Sequence, residues 1–64
     1  MRKQVSVFYS GDFDLKAIVY ENADNYEVDF GKNGLLIKTE SYEGKSLIYH
    51  EDAAENYVNG IKKI

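Results

Sequence analysis

Cysteine, proline and tryptophan are absent from the 64 residues, and histidine occurs once. No disulfide can staple the chain, and a single imidazole without a thiolate cannot build a structural zinc site. No apolar run approaches the roughly 20 residues that span a bilayer. The opening Met1-Arg2-Lys3 leads into alternation instead of the apolar block of a signal peptide. The expectation is a cytoplasmic chain with no membrane contact and no cofactor. Basic residues are also scarce: 8 Lys and Arg stand against 11 Asp and Glu, for a formal charge of −3. They are scattered, apart from the Arg2-Lys3 and Lys62-Lys63 pairs. A nonspecific nucleic-acid binder would show a basic stripe, so the charge balance disfavours nucleic acid as a partner. An acidic regulator acting on nucleic acid or on a nucleic-acid enzyme is the alternative functional class.

What the chain does contain is apolar and aromatic residues at regular spacing. Nine aromatics and a 44% hydrophobic composition describe a folded domain, and the length describes one domain, residues 1–64. A domain this small buries only about 60% of its unfolded surface. Its core must be thin, and its stability must come from packing, including packing between subunits. Gln4 to Tyr9 alternates, with Val5, Val7 and Tyr9 on one side and Ser6 and Phe8 on the other. Leu15 to Glu21 puts Leu15, Ala17 and Val19 on one face and Lys16, Ile18 and Tyr20 on the opposite one. Asn22-Ala23-Asp24-Asn25 has the composition of a turn. In Tyr26 to Phe30, Tyr26, Val28 and Phe30 oppose Glu27 and Asp29. Asn33-Gly34 then suits a two-residue type I′ turn. That turn predicts a register with Phe30 opposite Ile37, Asp29 opposite Lys38, Val28 opposite Thr39 and Glu27 opposite Glu40.

After the polar stretch Ser41 to Ser46 the period changes. Leu47, His50, Ala54, Tyr57, Val58 and Ile61 recur at helical spacing. Ser46 could cap a longer helix, and Asp52 with Glu55 could form a capping box for a shorter one. Glu51, Asp52 and Glu55 near the start, Lys62 and Lys63 near the end and Gly60 as a C-cap all suit the helix dipole. The resulting fold class is α+β: an antiparallel β-meander of three to four strands with one C-terminal helix packed on one face. The pairing partner of the first strand is open at this stage. The helix is expected on the face carrying Leu15, Ala17, Val19, Val28, Phe30 and Ile37. A second face would then carry Phe8, Ile18, Tyr20 and Leu36 among Lys16, Asp29 and Lys38. These four apolar residues are the candidate protein interface.

Constellations that could carry chemistry are weak. His50-Glu51-Asp52 joins an imidazole to two carboxylates but lacks a second histidine or an HExxH spacing, and reads as an acidic helix start. Asp12-Phe13-Asp14 lacks the remaining ligands of a calcium loop and reads as a turn. The five glycines are isolated, so no phosphate-cradling loop exists. Six tyrosines invite comparison with base-stacking platforms, but the neighbours of Tyr26 and Tyr49 include no Lys or Arg to track phosphates. No catalytic, cofactor-binding or metal residue is expected, and the chain reads as a non-enzyme. Tyr42-Glu43-Gly44-Lys45-Ser46 followed by Glu51 to Ile61, with its EDAAEN string, resembles the tail of small proteins of no known activity encoded by viruses of marine cyanobacteria and by their hosts. The resemblance implies a viral or accessory protein and carries over no functional residue. The expected function is a small interaction protein, partnered by itself or by another protein through the second sheet face or an edge strand.

Overall fold

The computed structural model describes residues 2–12 and 14–64. The turn expected at Asp12-Phe13-Asp14 therefore falls partly outside them, at Phe13. Four strands, β1 (Arg2–Ser10), β2 (Leu15–Asn22), β3 (Asn25–Lys32) and β4 (Leu35–Glu40), form an antiparallel sheet in the order β1-β2-β3-β4. The helix α1 (Leu47–Val58) follows. This is the expected meander, and it settles the place of the first strand, which pairs with the second. Short hairpins explain the order, since consecutive strands joined by a few residues have no reach to pair elsewhere.

Turn chemistry sets the registers. Asn33 and Gly34 both hold positive φ, 55° and 80°, between the paired residues Lys32 and Leu35, as a type I′ turn requires. The β2–β3 turn is equally tight, with Asn22 opposite Asn25, and there Ala23 takes positive φ. The two loops at the opposite end of the sheet are tied together by the Asn33 N–H, which donates to the Asp14 carbonyl at 3.0 Å.

One face of the sheet is the core. Ala17 and Val19 of β2, Val28 and Phe30 of β3, and Ala54, Tyr57 and Val58 of α1 are buried together. Phe8, Leu15, Tyr42 and Leu47 pack around them. Phe30 meets Tyr57 edge-on, with ring centroids 4.8 Å apart, and the Tyr57 hydroxyl donates to the Gly31 carbonyl at 3.1 Å. The helix begins at the longer of its two expected starts. Ser46 is the N-cap and its hydroxyl accepts from the Tyr49 N–H. It ends in a Schellman motif: Gly60 is left-handed, its N–H donates to Tyr57 O, and Ile61 N–H donates to Asn56 O at 2.8 Å. Because the helix starts at Leu47, its first turn holds no acidic residue, and Lys62 and Lys63 lie beyond its last turn. The expected dipole complement is therefore absent at both ends.

The β3–β4 ladder pairs Lys32 with Leu35 and Gly31 with Leu36 beside the turn and then slips, so that none of the four expected pairs forms. Phe30 lies opposite Lys38, Asp29 opposite Thr39 and Val28 opposite Glu40, because Ile37 is an extra residue in β4. The slip removes the like-charge pairing of Glu27 with Glu40 that the regular register imposes. It also lets the Thr39 hydroxyl donate to Asp29 at 2.7 Å and carries Glu40 to the helix side, beside Tyr42 and Lys62. Ile37, expected in the core, is 54% exposed, and Lys38, expected on the far face, stands opposite the core residue Phe30.

Candidate interaction surface

Helix α1 packs on β1, β2 and β3, and only from one side. Among the described residues, no helix or strand covers the opposite face of the sheet. Cross-strand pairing builds this open face as rows. Tyr9, Lys16, Gly31 and Leu36 make the row nearest the Asn33-Gly34 turn, and Val7, Ile18, Asp29 and Thr39 make the next. Gln4, Tyr20 and Glu27 make a third. Alternation along each strand explains the membership, because Ala17, Val19, Val28 and Phe30 between these positions point into the core.

Of the four residues expected on this face, Ile18, Tyr20 and Leu36 lie there. Phe8 does not. It pairs with Ala17 and packs on the core, so it belongs to the helix side. The reason is the β1–β2 connection: closing the hairpin with Ser10 opposite Leu15 places Phe8 beside Ala17, and Val7 beside Ile18. A four-residue loop carried that signal in the sequence. The face therefore gains Val7 and Tyr9 in place of Phe8, exposed by 46% and 65%, and Leu36 is exposed by 65%. Gln4 and Ser6 flank an irregularity at Val5, which lets Arg2 swing over the same face. Its guanidinium sits 3.9 Å above the Tyr20 ring, 2.7 Å from Asp29 and 3.2 Å from Glu27. The hydrogen bond to Asp29 holds the Arg2 proton even more tightly than usual.

The surface is thus divided. One part is an apolar patch of Val7, Tyr9, Ile18 and Leu36 around the gap left by Gly31. The other is a polar network of Arg2, Glu27, Asp29 and Thr39, with Lys16 exposed beside the patch.

His50 is not at a solvent-facing helix start but buried, 1% exposed, among Tyr26, Tyr42 and Tyr49. Its Nδ1–H donates to the Ser46 carbonyl at 2.8 Å, and its Nε2 accepts from the Tyr42 N–H at 3.2 Å. A carbonyl can only accept and an amide N–H can only donate, so the proton sits on Nδ1. Both nitrogens are spent on backbone, pinning the Ser41–Ser46 loop to the helix. Glu51 accepts from the Ser6 hydroxyl, tying helix to β1. Among the described residues no group of three or more His, Asp or Glu side chains is placed to hold a metal ion. Among the described residues no helix is long and apolar enough to cross a membrane. No protein-family profile, no curated protein and no solved structure matches the chain.

Proposed function

We propose that this protein is a small, non-catalytic interaction protein that self-associates through the open face of its sheet. The observation that carries the reading is a sheet covered by its helix on one side, with Val7, Tyr9, Ile18 and Leu36 gathered on the bare side. Apolar residues grouped within a polar rim mark a contact surface. A face four strands wide and eight residues long spans roughly 19 by 26 Å. That is about 500 Å² of flat area, roughly a ninth of the 4313 Å² accessible surface, so a contact made by this face belongs to the small class, below the about 800 Å² that a standard interface takes from each partner. Charge supports a second copy as the occupant. Arg2 and Lys16 share the face with Glu27 and Asp29, so the surface offers both signs to a two-fold-related twin, as an isologous contact needs. The engagement of both His50 nitrogens by backbone supports the non-catalytic part of the reading. The likeness of the Glu51 to Ile61 segment to small viral proteins fits an accessory role.

Light scattering after size exclusion, over a range of concentrations, tests it. The expected mass is at least twice the 7.3 kDa of one chain, and Ile18→Asp should return it to 7.3 kDa with the circular dichroism unchanged. A single-chain mass at every concentration, or an Ile18→Asp variant that keeps the parent mass, overturns the assignment.

A further inference from the structure

On the helix side, α1 stops short of β4, and the C-terminal segment from Asn59 to Ile64 comes back over the gap. Between them lies a cleft of about 490 Å³. Its floor is apolar: Leu15 from β2, Ile37 from β4, Tyr57 from α1 and Ile64 from the tail. Its rim carries Lys32, Lys62 and Lys63. The β4 bulge is what brings Ile37 here, an example of an inserted residue re-aiming a side chain. We propose that this cleft binds a single-chain amphiphilic anion, an alkyl carboxylate or alkyl phosphate, with its head between Lys32 and Lys63 and its hydrocarbon on Leu15, Ile37 and Ile64.

Three observations carry the assignment. The chain bears a net charge of −3, yet three lysines meet at this one rim. Lys62 is answered by Glu40 at 3.3 Å, whereas Lys32 and Lys63 have no carboxylate within ion-pair distance among the described residues. Two unanswered ammonium groups over a hydrocarbon floor are complementary to a negative head on an apolar body. Finally, the cleft falls within the roughly 300–1,000 Å³ typical of small-molecule sites, whereas the hollow beside Gly31 on the open face holds only about 250 Å³. The Tyr57 hydroxyl is already spent on Gly31, so the floor offers no competing donor there, and the head must be recognised at the rim. The site lies on the opposite side of the sheet from the self-association face and stands independently of it.

An NMR titration of the isotopically labelled full chain tests the proposal, with octanoate and octyl phosphate kept below their aggregation thresholds and with octanol and inorganic phosphate as separate arms. The anions should shift the Leu15, Ile37 and Ile64 methyls saturably, while octanol and inorganic phosphate bind about tenfold more weakly or worse, since each lacks one half of the recognition. Lys32→Glu combined with Lys63→Glu should weaken the anions by about tenfold and leave octanol unaffected. Binding of only one anion supports the site and identifies its head group. Octanol binding as tightly as octanoate removes the role of charge and overturns the proposal; so does inorganic phosphate binding as tightly as octyl phosphate. Shifts confined to Val7, Ile18 and Leu36, or no saturable shift at all, also overturn it.

Discussion

At the scale of single residues, the side chain with most depending on it is His50. Removing its ring leaves a cavity between three tyrosines and strands the Tyr42 N–H, while the Ser46 carbonyl keeps only the main-chain N–H of residue 50 at 3.3 Å. His50→Ala should cost about 3 kcal/mol, read as the denaturation midpoint, a large part of what so small a domain has. Tyr57→Phe loses one hydrogen bond and keeps its packing, so about 1 kcal/mol is expected. Spacing put His50 in one stripe with Leu47, Ala54 and Tyr57, whereas His50-Glu51-Asp52 read as an acidic helix start; the burial of His50 decides for the stripe. Its partners were not legible, because they are main-chain groups that only the fold of the Ser41–Ser46 loop brings within reach. Glu40 adds a pH dependence. The Tyr42 hydroxyl that donates to it, helped by Lys38 and Lys62, lowers its carboxyl below the ordinary 4.5 against the opposing effect of burial. A lowered carboxyl contributes stability above 4.5 that is lost as pH falls through the folded-state value. Tyr42 moves the other way, raised by burial and then by Glu40, so its contribution is present below 10.0 and disappears as pH rises through its folded value. The stability gap between the parent and Glu40→Gln should therefore narrow as pH drops below 4.5, and denaturant melts over that range check it. An unchanged gap would show that the ion pairs on Glu40 carry no net stability.

At the scale of elements, the ends of α1 separate two sequence readings that local pattern left equal. Ser46 and Asp52 are both good caps by residue type; the half-buried Leu47 and the buried His50 decide for Ser46, since a helix starting at Asp52 would leave both without a helical face to hold them. Ser46→Ala should cost about 1 kcal/mol and Asp52→Ala close to nothing, compared by thermal melting. Gly60→Ala should also destabilise by about 1 kcal/mol, because the Schellman turn holds that residue at φ 80°. Equal effects at Ser46 and Asp52 would put the helix start elsewhere. In β4 the turn Asn33-Gly34 sets only the two pairs nearest it, and the slip at Ile37 displaces all four pairs expected from the turn. A hairpin rule sees only the turn, whereas the bulge answers a distant demand: Glu40 gains Tyr42 and Lys62, and Asp29 gains Thr39. Those partners lie up to 22 positions further along the chain, beyond any local pattern.

At the scale of the whole molecule, one helix cannot cover both sides of a four-stranded sheet, and the side left over is the surface proposed for self-association. Leu36→Asp and Ile18→Asp, on neighbouring rows of the open face, should each lower the solution mass to that of one chain without lowering the melting temperature of the monomer. Phe8→Asp, on the core side, should instead unfold the domain; an assembled and folded Phe8→Asp variant would contradict the placement of β1. The sequence by itself determined the α+β class, the succession of strands and helix along the chain, the tight turns and the inward set of β2 and β3, but not which strand β1 pairs with, because alternation, helical spacing and turn residues act over a few neighbours. Only the tertiary structure decided which way β1 faces, where β4 slips, what His50 holds and which lysines go unanswered. Each of those depends on contacts between residues far apart in the chain, made when burying a thin core on one side leaves the remaining groups to find partners wherever the sheet and helix happen to bring them together.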